Sequence, residues 1–210
     1  YSTYMMMFAY EFDKTKFGFD NDKNGVADIL DEAKIGLDWL LRCNYHGDTL
    51  IIQIQDTSDH AVGWRLPEDD TLRFNRIGYT GIGKNIIGLY VATLSLANRI
   101  WKNEILDDSF AERCLQTARK FYSMKDLVPD IDSSVSTYYK DTGFYGKLTL
   151  GSIELFESTN EKIFLNDAKT FSDSAGADYW WSWGNMNSLA HFKIAKYDSS
   201  KIKFLRESVD

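Results

Sequence analysis

The chain has 210 residues, 24 Lys and Arg against 31 Asp and Glu, a formal charge of −7, and a content of 44% hydrophobic and 15% aromatic residues. Such a composition describes a folded acidic domain long enough to bury a substantial core unaided, and two cysteines build no disulfide framework. It excludes a nucleic-acid or anionic-membrane surface, which needs clustered basic residues, and no stretch reaches the ~18–20 apolar residues of a membrane span.

Residues 4–12 read as the tail of a helix. Residues 20–31 then carry oxygens at the spacing of a calcium loop: Asp20, Asp22, Asn24 and Asp28, with Gly25 for the sharp turn and Asp31 closing the ring. The alternative is a solvated turn that caps the following helix. That helix is predicted over 28–43 by Ile29, Leu30, Ala33, Leu37, Leu40 and Leu41, with acids in its first turn to complement the dipole. Residues 49–55 alternate Leu50, Ile52 and Ile54 with Ile51, Gln53 and Gln55, which predicts one short, isolated strand.

A loop is expected over 56–70, where Asp56, Asp59, His60, Trp64, Arg65, Pro67, Glu68, Asp69 and Asp70 crowd together. Loops concentrate binding residues. Trp64 offers an apolar plate for a sugar face, and His60 and Arg65 can donate hydrogen bonds to hydroxyls. The alternative is an acidic loop whose Trp anchors it to the core. Gly81-Ile82-Gly83-Lys84-Asn85 reads as a turn that starts a helix: it lacks the Walker spacing and the following Ser or Thr, and no strand is predicted before it.

Helical spacing then predicts helices over 83–102, 108–124, 145–158, 161–175 and 185–197. Aromatic groups stand at two helix entrances: Tyr138, Tyr139, Phe144 and Tyr145, then Tyr179, Trp180, Trp181 and Trp183. Three tryptophans in four residues are hard to bury, so at least one is expected to face a cleft, and these groups would meet the 56–70 loop in a ring of hairpins. His46 and His191 are isolated and suggest no zinc site; Cys43 and Cys114 are expected as buried thiols. Leu115 with Ala118-Arg119-Lys120-Phe121 recurs as Leu165 with Ala168-Lys169-Thr170-Phe171, each on the second helix of a hairpin. Stacked hairpins of this kind build solenoids or closed toroids. Residues 1–210 read as one all-α domain with a β excursion near 49–55.

On these residues the chain resembles glycoside hydrolase family 9, whose cellulases are toroids of helical hairpins. Asn24-Gly25-Val26-Ala27-Asp28-Ile29-Leu30-Asp31-Glu32-Ala33 and Leu37-Asp38-Trp39-Leu40-Leu41 are similar to the family's NG-x-PDILDEA segment and helix. Asp59-His60-Ala61 with Trp64, Arg65, Pro67, Glu68 and Asp69 is similar to its DHA-x-x-W-x-x-PED loop, and Tyr145 with Leu148 and Ser182-Trp183-Gly184-Asn185 to its aromatic-DEL and SWD/SWG loops.

The resemblance implies an (α/α)6 hairpin toroid, incomplete here because six or seven predicted helices are about half of the family's twelve, so the chain is expected to be part of a longer one. It implies inverting hydrolysis of β-1,4-glucosidic bonds in a secreted or periplasmic protein. A carboxylate base then activates water and a carboxylic acid roughly 6.5–9.5 Å away protonates the leaving oxygen. His60, Trp64, Trp183 and Tyr145 would line sugar subsites; Arg65 is placed there by its chemistry. No cofactor is required, a structural calcium at Asp20, Asp22, Asn24, Asp28 and Asp31 being the one candidate. The family's base segment matches a point before Tyr1 and its acid a point after Asp210, so neither role is given to a residue here. Gly146-Lys147 stands where the family has Asp-Glu. The competing reading is a non-catalytic helical toroid that binds glycans or proteins through its aromatic loops; a TPR-like scaffold leaves the 59–69 segment unexplained.

Overall fold

The computed structural model describes residues 1–71, 76–134, 141 and 143–209. Tyr138 and Tyr139 lie outside the described residues, as does the side chain of His60.

Helices form where apolar side chains recur at helical spacing. Helix α1 (Ser2–Phe12) buries Tyr4, Met7 and Phe8. A single turn, α2 (Lys14–Phe17), leads to α3 (Asp28–Arg42), which buries Leu30, Ala33 and Leu37. Three strands follow as an antiparallel sheet in the order β1 (Asn44–Tyr45), β2 (Thr49–Gln55), β3 (Ile77–Gly81), with Leu50 opposite Gly81 and Gln55 opposite Ile77. The strand expected to stand alone is therefore the centre of a sheet. Its partner β3 escapes prediction because two of its five residues are glycine, which lowers strand propensity. Between β2 and β3 lies the short helix α4 (Thr57–Ala61).

A strand thus does precede the Gly81–Asn85 turn, yet three of its backbone donors are taken. Ile82 N–H donates to the Asp132 carboxylate at 2.8 Å, Lys84 N–H to the Pro129 carbonyl at 2.9 Å and Asn85 N–H to the Asp130 carbonyl at 3.2 Å. The turn clamps the 129–134 connection and starts α5, as the sequence predicts.

The remaining helices are α5 (Lys84–Ile100), α6 (Asp108–Ser123), α7 (Tyr145–Thr159), α8 (Lys162–Ser172), α9 (Asn187–Ala195) and α10 (Ile202–Val209). The last, only eight residues long, is not foreseen. They pack in two layers: α1, α5, α7 and α9 lie side by side, and α3, α6, α8 and α10 each back one of them. Helices α5 and α7 cross closely enough to require glycine. A Cβ on Gly88 would stand 2.4 Å from the Lys147 carbonyl carbon, and one on Gly151 2.7 Å from the Gly88 oxygen. The repeat falls on the backing helices α6 and α8, where Ala118 and Ala168 are both buried.

The inner row curves until its ends touch, Phe8 of α1 meeting Phe192 of α9 edge-to-face at 6.1 Å. A buried ion cluster ties the row together. Glu154, wholly buried on α7, accepts from the Tyr4 hydroxyl at 2.6 Å, Arg99 at 2.7 Å and Lys193 at 3.1 Å, so one carboxylate joins all four inner helices. The free thiols Cys43 and Cys114 are buried as expected, and burial pushes them up to about 11 and about 12, which keeps them inert at neutral pH.

Candidate functional site

The segment expected as a loop begins as helix α4. Asp56 caps it by accepting Ser58 N–H at 2.8 Å, and Asp59 returns the bond by accepting Asp56 N–H at 3.0 Å. A 3-10 turn, Pro67–Asp69, follows. Two arginines and two aspartates then form a ring of alternating charge. Arg65 donates from Nη2 to Asp59 at 2.9 Å, from Nε to Asp70 at 3.0 Å and from Nη1 to the Gly63 carbonyl at 3.3 Å. Arg76 donates from Nη2 to Asp59 at 2.7 Å and to Asp70 at 2.5 Å, and from Nε to Asp59 at 3.0 Å. The guanidinium expected to meet sugar hydroxyls is thus engaged within the loop. Hydrogen bonds from Arg76 foremost, then from the Asp56 amide and Arg65, hold the Asp59 carboxyl well below the usual carboxylate range. Asp59 stays an anion and supplies neither a proton nor a base.

Trp64 is 88% exposed, so it does not anchor the loop to the core. It borders an open concavity of about 550 Å³ with Asp59, Arg65, Leu66, Pro67 and Asp70.

Trp183 lines a different cavity of about 310 Å³, walled by Trp39, Leu50, Ile52 and Tyr90, with Asn85, Asp141 and Lys147 on its polar side. Burial lowers the Lys147 ammonium, against the opposing pull of Asp141, with which it is ion-paired. Asn85 braces the pair, donating to Asp141 at 3.0 Å and accepting Asp132 N–H at 3.0 Å. Gly146 has its own reason: a Cβ there would stand 2.8 Å from the Asn187 Cα, so glycine lets the start of α7 meet the start of α9. Tyr145 is 39% exposed and lies against Phe144 at 4.2 Å. Tyr179, Trp180 and Trp181 are all exposed, Trp181 also meeting Phe8 edge-to-face at 6.3 Å. Trp64 and Trp183 therefore serve separate concavities. Sequence reasoning missed Arg76, and also Asp178, whose carboxylate accepts the N–H groups of Asn187 and Ser188 at the start of α9.

In the acidic loop, carboxylate oxygens of Asp20, Asp22 and Asp28 lie within 4.8 Å of one another. Among the described residues no lysine or arginine is ion-paired with them, and a cation there would offset the repulsion of like charges so close. Asp31 lies outside the trio, and Asn24 turns donors rather than its oxygen toward it, its backbone N–H bonding Asp20 and Asp22 at 3.1 Å and its amide bonding Asp22 at 3.2 Å. The Asn24 amide donates to Asp31 at 2.8 Å, and its carbonyl accepts Val26 N–H at 2.7 Å. Lys23 and Gly25 take positive φ, 61° and 90°, which is the tight turn the spacing predicts.

Two curved layers of paired helices thus carry exposed aromatic side chains on the segments that enter the inner helices. The chain belongs to glycosyl hydrolase family 9, whose model matches residues 1–209. Curated relatives include Endoglucanase 1 of Arabidopsis thaliana, 28% identical over 88% of this chain and 39% of that protein. Endoglucanase 3 of Oryza sativa is 27% identical over 83% of this chain and 37% of its own length. The chain thus spans about two fifths of the curated relatives it matches. Among solved structures, the cellulase Cel9M of C. cellulolyticum superposes with a TM-score of 0.82 at 21% identity, over 99% of this chain and 49% of that one. Endoglucanase CelQ of Clostridium thermocellum, complexed with cellotetraose, gives 0.77 at 21% identity over 100% of this chain and 35% of that one. Among the described residues no helix is long and apolar enough to cross a membrane.

Proposed function

We propose that the protein carrying this chain hydrolyses β-1,4-glucosidic bonds of cellulose or a related β-glucan with inversion, and that this chain supplies aromatic platforms of its cleft. The observation that carries this reading is Trp64, an indole left 88% exposed on a segment fixed by four charged side chains. A flat apolar plate held in water matches the C–H face of a pyranose ring. His60 in α4, Tyr145 at the start of α7 and Trp183 in the segment before α9 extend the set. Family membership and the cello-oligosaccharides carried by solved relatives support a β-glucan over other polymers.

Inverting chemistry needs one carboxylate free to activate water and one carboxylic acid, roughly 6.5–9.5 Å apart. Asp59 and Asp70 belong to the arginine ring, Asp141 pairs with Lys147, and Asp178 holds the start of α9. We assign the acid and the base to none of these. A substrate of this size is met outside the cell, so secretion belongs to the same reading. The acidic loop takes a structural calcium on Asp20, Asp22 and Asp28, with Asn24 and Asp31 as further oxygen donors after a turn of the Asn24 amide.

A reducing-sugar assay of the intact gene product on soluble β-glucan and cellodextrins tests the reading, with turnover and an inverted anomer expected. Absence of turnover overturns it in favour of a non-catalytic glycan binder, which the engagement of the loop carboxylates favours. Affinity electrophoresis in β-glucan gels then decides: migration unchanged from a glucan-free gel rejects glycan binding as well.

A further inference from the structure

We propose that Arg76 is the positioning residue of the Trp64 segment: the ring Asp59–Arg65–Asp70–Arg76, rather than apolar packing, fixes where the indole stands. The inference rests on Trp64 being a sugar platform.

From residue 61 to 71 every residue is exposed except Arg65 and Asp70, and both are members of the ring. The large apolar side chains of the stretch, Val62, Trp64 and Leu66, are 51%, 88% and 43% exposed. Burial of apolar area is the usual force that fixes a segment, and here almost none is available. The 3-10 turn fixes only its own few residues, through Asp69 N–H to Leu66 and Asp70 N–H to Pro67. Among the described residues, what remains is the ring.

Its placement explains why Arg76 matters most. Gln55 ends β2 opposite Ile77, which begins β3, so the segment between them is the loop of a hairpin. Asp59 stands four residues past Gln55, and Arg76 immediately precedes Ile77. The ring therefore closes across the neck of that loop, with Arg76 at the foot of the sheet. Each arginine donates to both aspartates and each aspartate accepts from both arginines, at 2.5–3.0 Å across the four ion pairs. The four side chains are 16–24% exposed. Forked, partly shielded pairs in a network hold geometry in a way that isolated surface pairs do not. Arg76 makes no contact with the Trp64 concavity, whose lining includes the other three ring members, so it acts through them.

Calorimetry on the full chain with cellohexaose tests this with Trp64→Ala, Arg76→Gln and the double variant. Arg76→Gln is expected to weaken binding at least fivefold and to within twofold of Trp64→Ala. The double variant is expected to bind no more weakly than Trp64→Ala alone, because both changes remove one platform. The melting temperature of Arg76→Gln should stay within about 2 °C of wild type. Arg76→Lys, which keeps the charge but loses the fork, should fall between wild type and Arg76→Gln. Should Arg76→Gln prove poorly folded, Asp70→Asn removes one arm of the ring and should weaken binding in the same direction by a smaller factor. Wild-type affinity in Arg76→Gln, or in Asp70→Asn where the first variant does not fold, overturns the inference, as does a loss in Arg76→Gln that multiplies with that of Trp64→Ala. Wild-type affinity in Trp64→Ala instead overturns the platform reading on which it rests.

Discussion

The crossing of α5 and α7 and the loop between β2 and β3 hold their shapes by opposite means. At the crossing, Gly88 and Gly151 let two backbones meet and nearly every side chain around them is buried. In the loop nothing apolar is buried over residues 61–71, and two arginines and two aspartates carry the geometry. Charge appears in both regions with different consequences. Glu154 is sealed from water inside the inner row, whereas the loop ring stands partly in solvent where its members can respond to salt. A scaffold that must not move and a surface that presents one indole to a ligand thus draw on different forces.

The largest effect that can break this contrast is expected at Glu154. Glu154→Ala leaves Arg99 and Lys193 buried with less negative charge and should lower unfolding free energy by about 3–5 kcal/mol, read by urea denaturation. Burial alone would raise this carboxyl, but Lys193 and Arg99 outweigh burial and hold it at about 2. A depressed carboxyl stabilises fully above its unfolded value of about 4.3 and loses that contribution as pH falls toward 2. Wild type should therefore show a steep loss of stability between pH 4 and 2 that Glu154→Ala lacks. An equal slope in both would show that the inner row does not depend on this carboxylate.

The same contrast decides what was legible in the sequence. Helices α3 and α5 to α9 stand within a few residues of their expected ranges, because a helix buried on one face repeats apolar residues in register with its turn. β3 is hidden by Gly78 and Gly81, since strand propensity is a poor guide where pairing with β2 supplies the stability. Trp64 is visible by residue type, but what holds it is not: Arg76 is 17 residues from Asp59, and no local pattern links them. Lys147 and Asp178 are unreadable for the same reason, as each gains its meaning from a partner brought close by folding.

The acidic loop is intermediate, exposed like the β2–β3 loop yet built to close on itself. With calcium at a hundredfold excess over its Kd, binding should add about 2.7 kcal/mol. Chelator should then lower the melting temperature of wild type and leave Asp22→Ala unchanged; a wild type indifferent to chelator removes the calcium. Trp64→Ala should cost glucan binding about 2 kcal/mol, roughly thirtyfold, by calorimetry. Because the indole is 88% exposed, its removal should leave the melting temperature where it was. A fall in stability would mean that the loop does lean on Trp64 after all.

The smallest effect sharpens the contrast from the inner row's last helix. His191 is wholly buried, its Nε2 lies 2.8 Å from the Gly176 carbonyl, and its ring stacks on Phe204 of α10 at 4.4 Å. Among the described residues its Nδ1 meets no partner, so the neutral ring with the proton on Nε2 fits the site and the imidazolium does not. Burial first, then the charge of Lys201, lowers its pKa below the ordinary value, with the Gly176 bond opposing. For a base so shifted, stability is whole above the unfolded value near 6.5 and falls as pH drops through the folded one. One proton can tilt the stability curve by at most about 1.4 kcal/mol per pH unit. His191→Gln, which keeps a donor for Gly176, should flatten denaturant midpoints between pH 6.5 and 5 while wild type declines. Glucan affinity in both proteins should hold level across that range, since Asp59 in the loop ring is held far below it. A parallel decline of affinity and stability would mean that the packed row and the charged loop are coupled, and that the division between them is not the one the contacts describe.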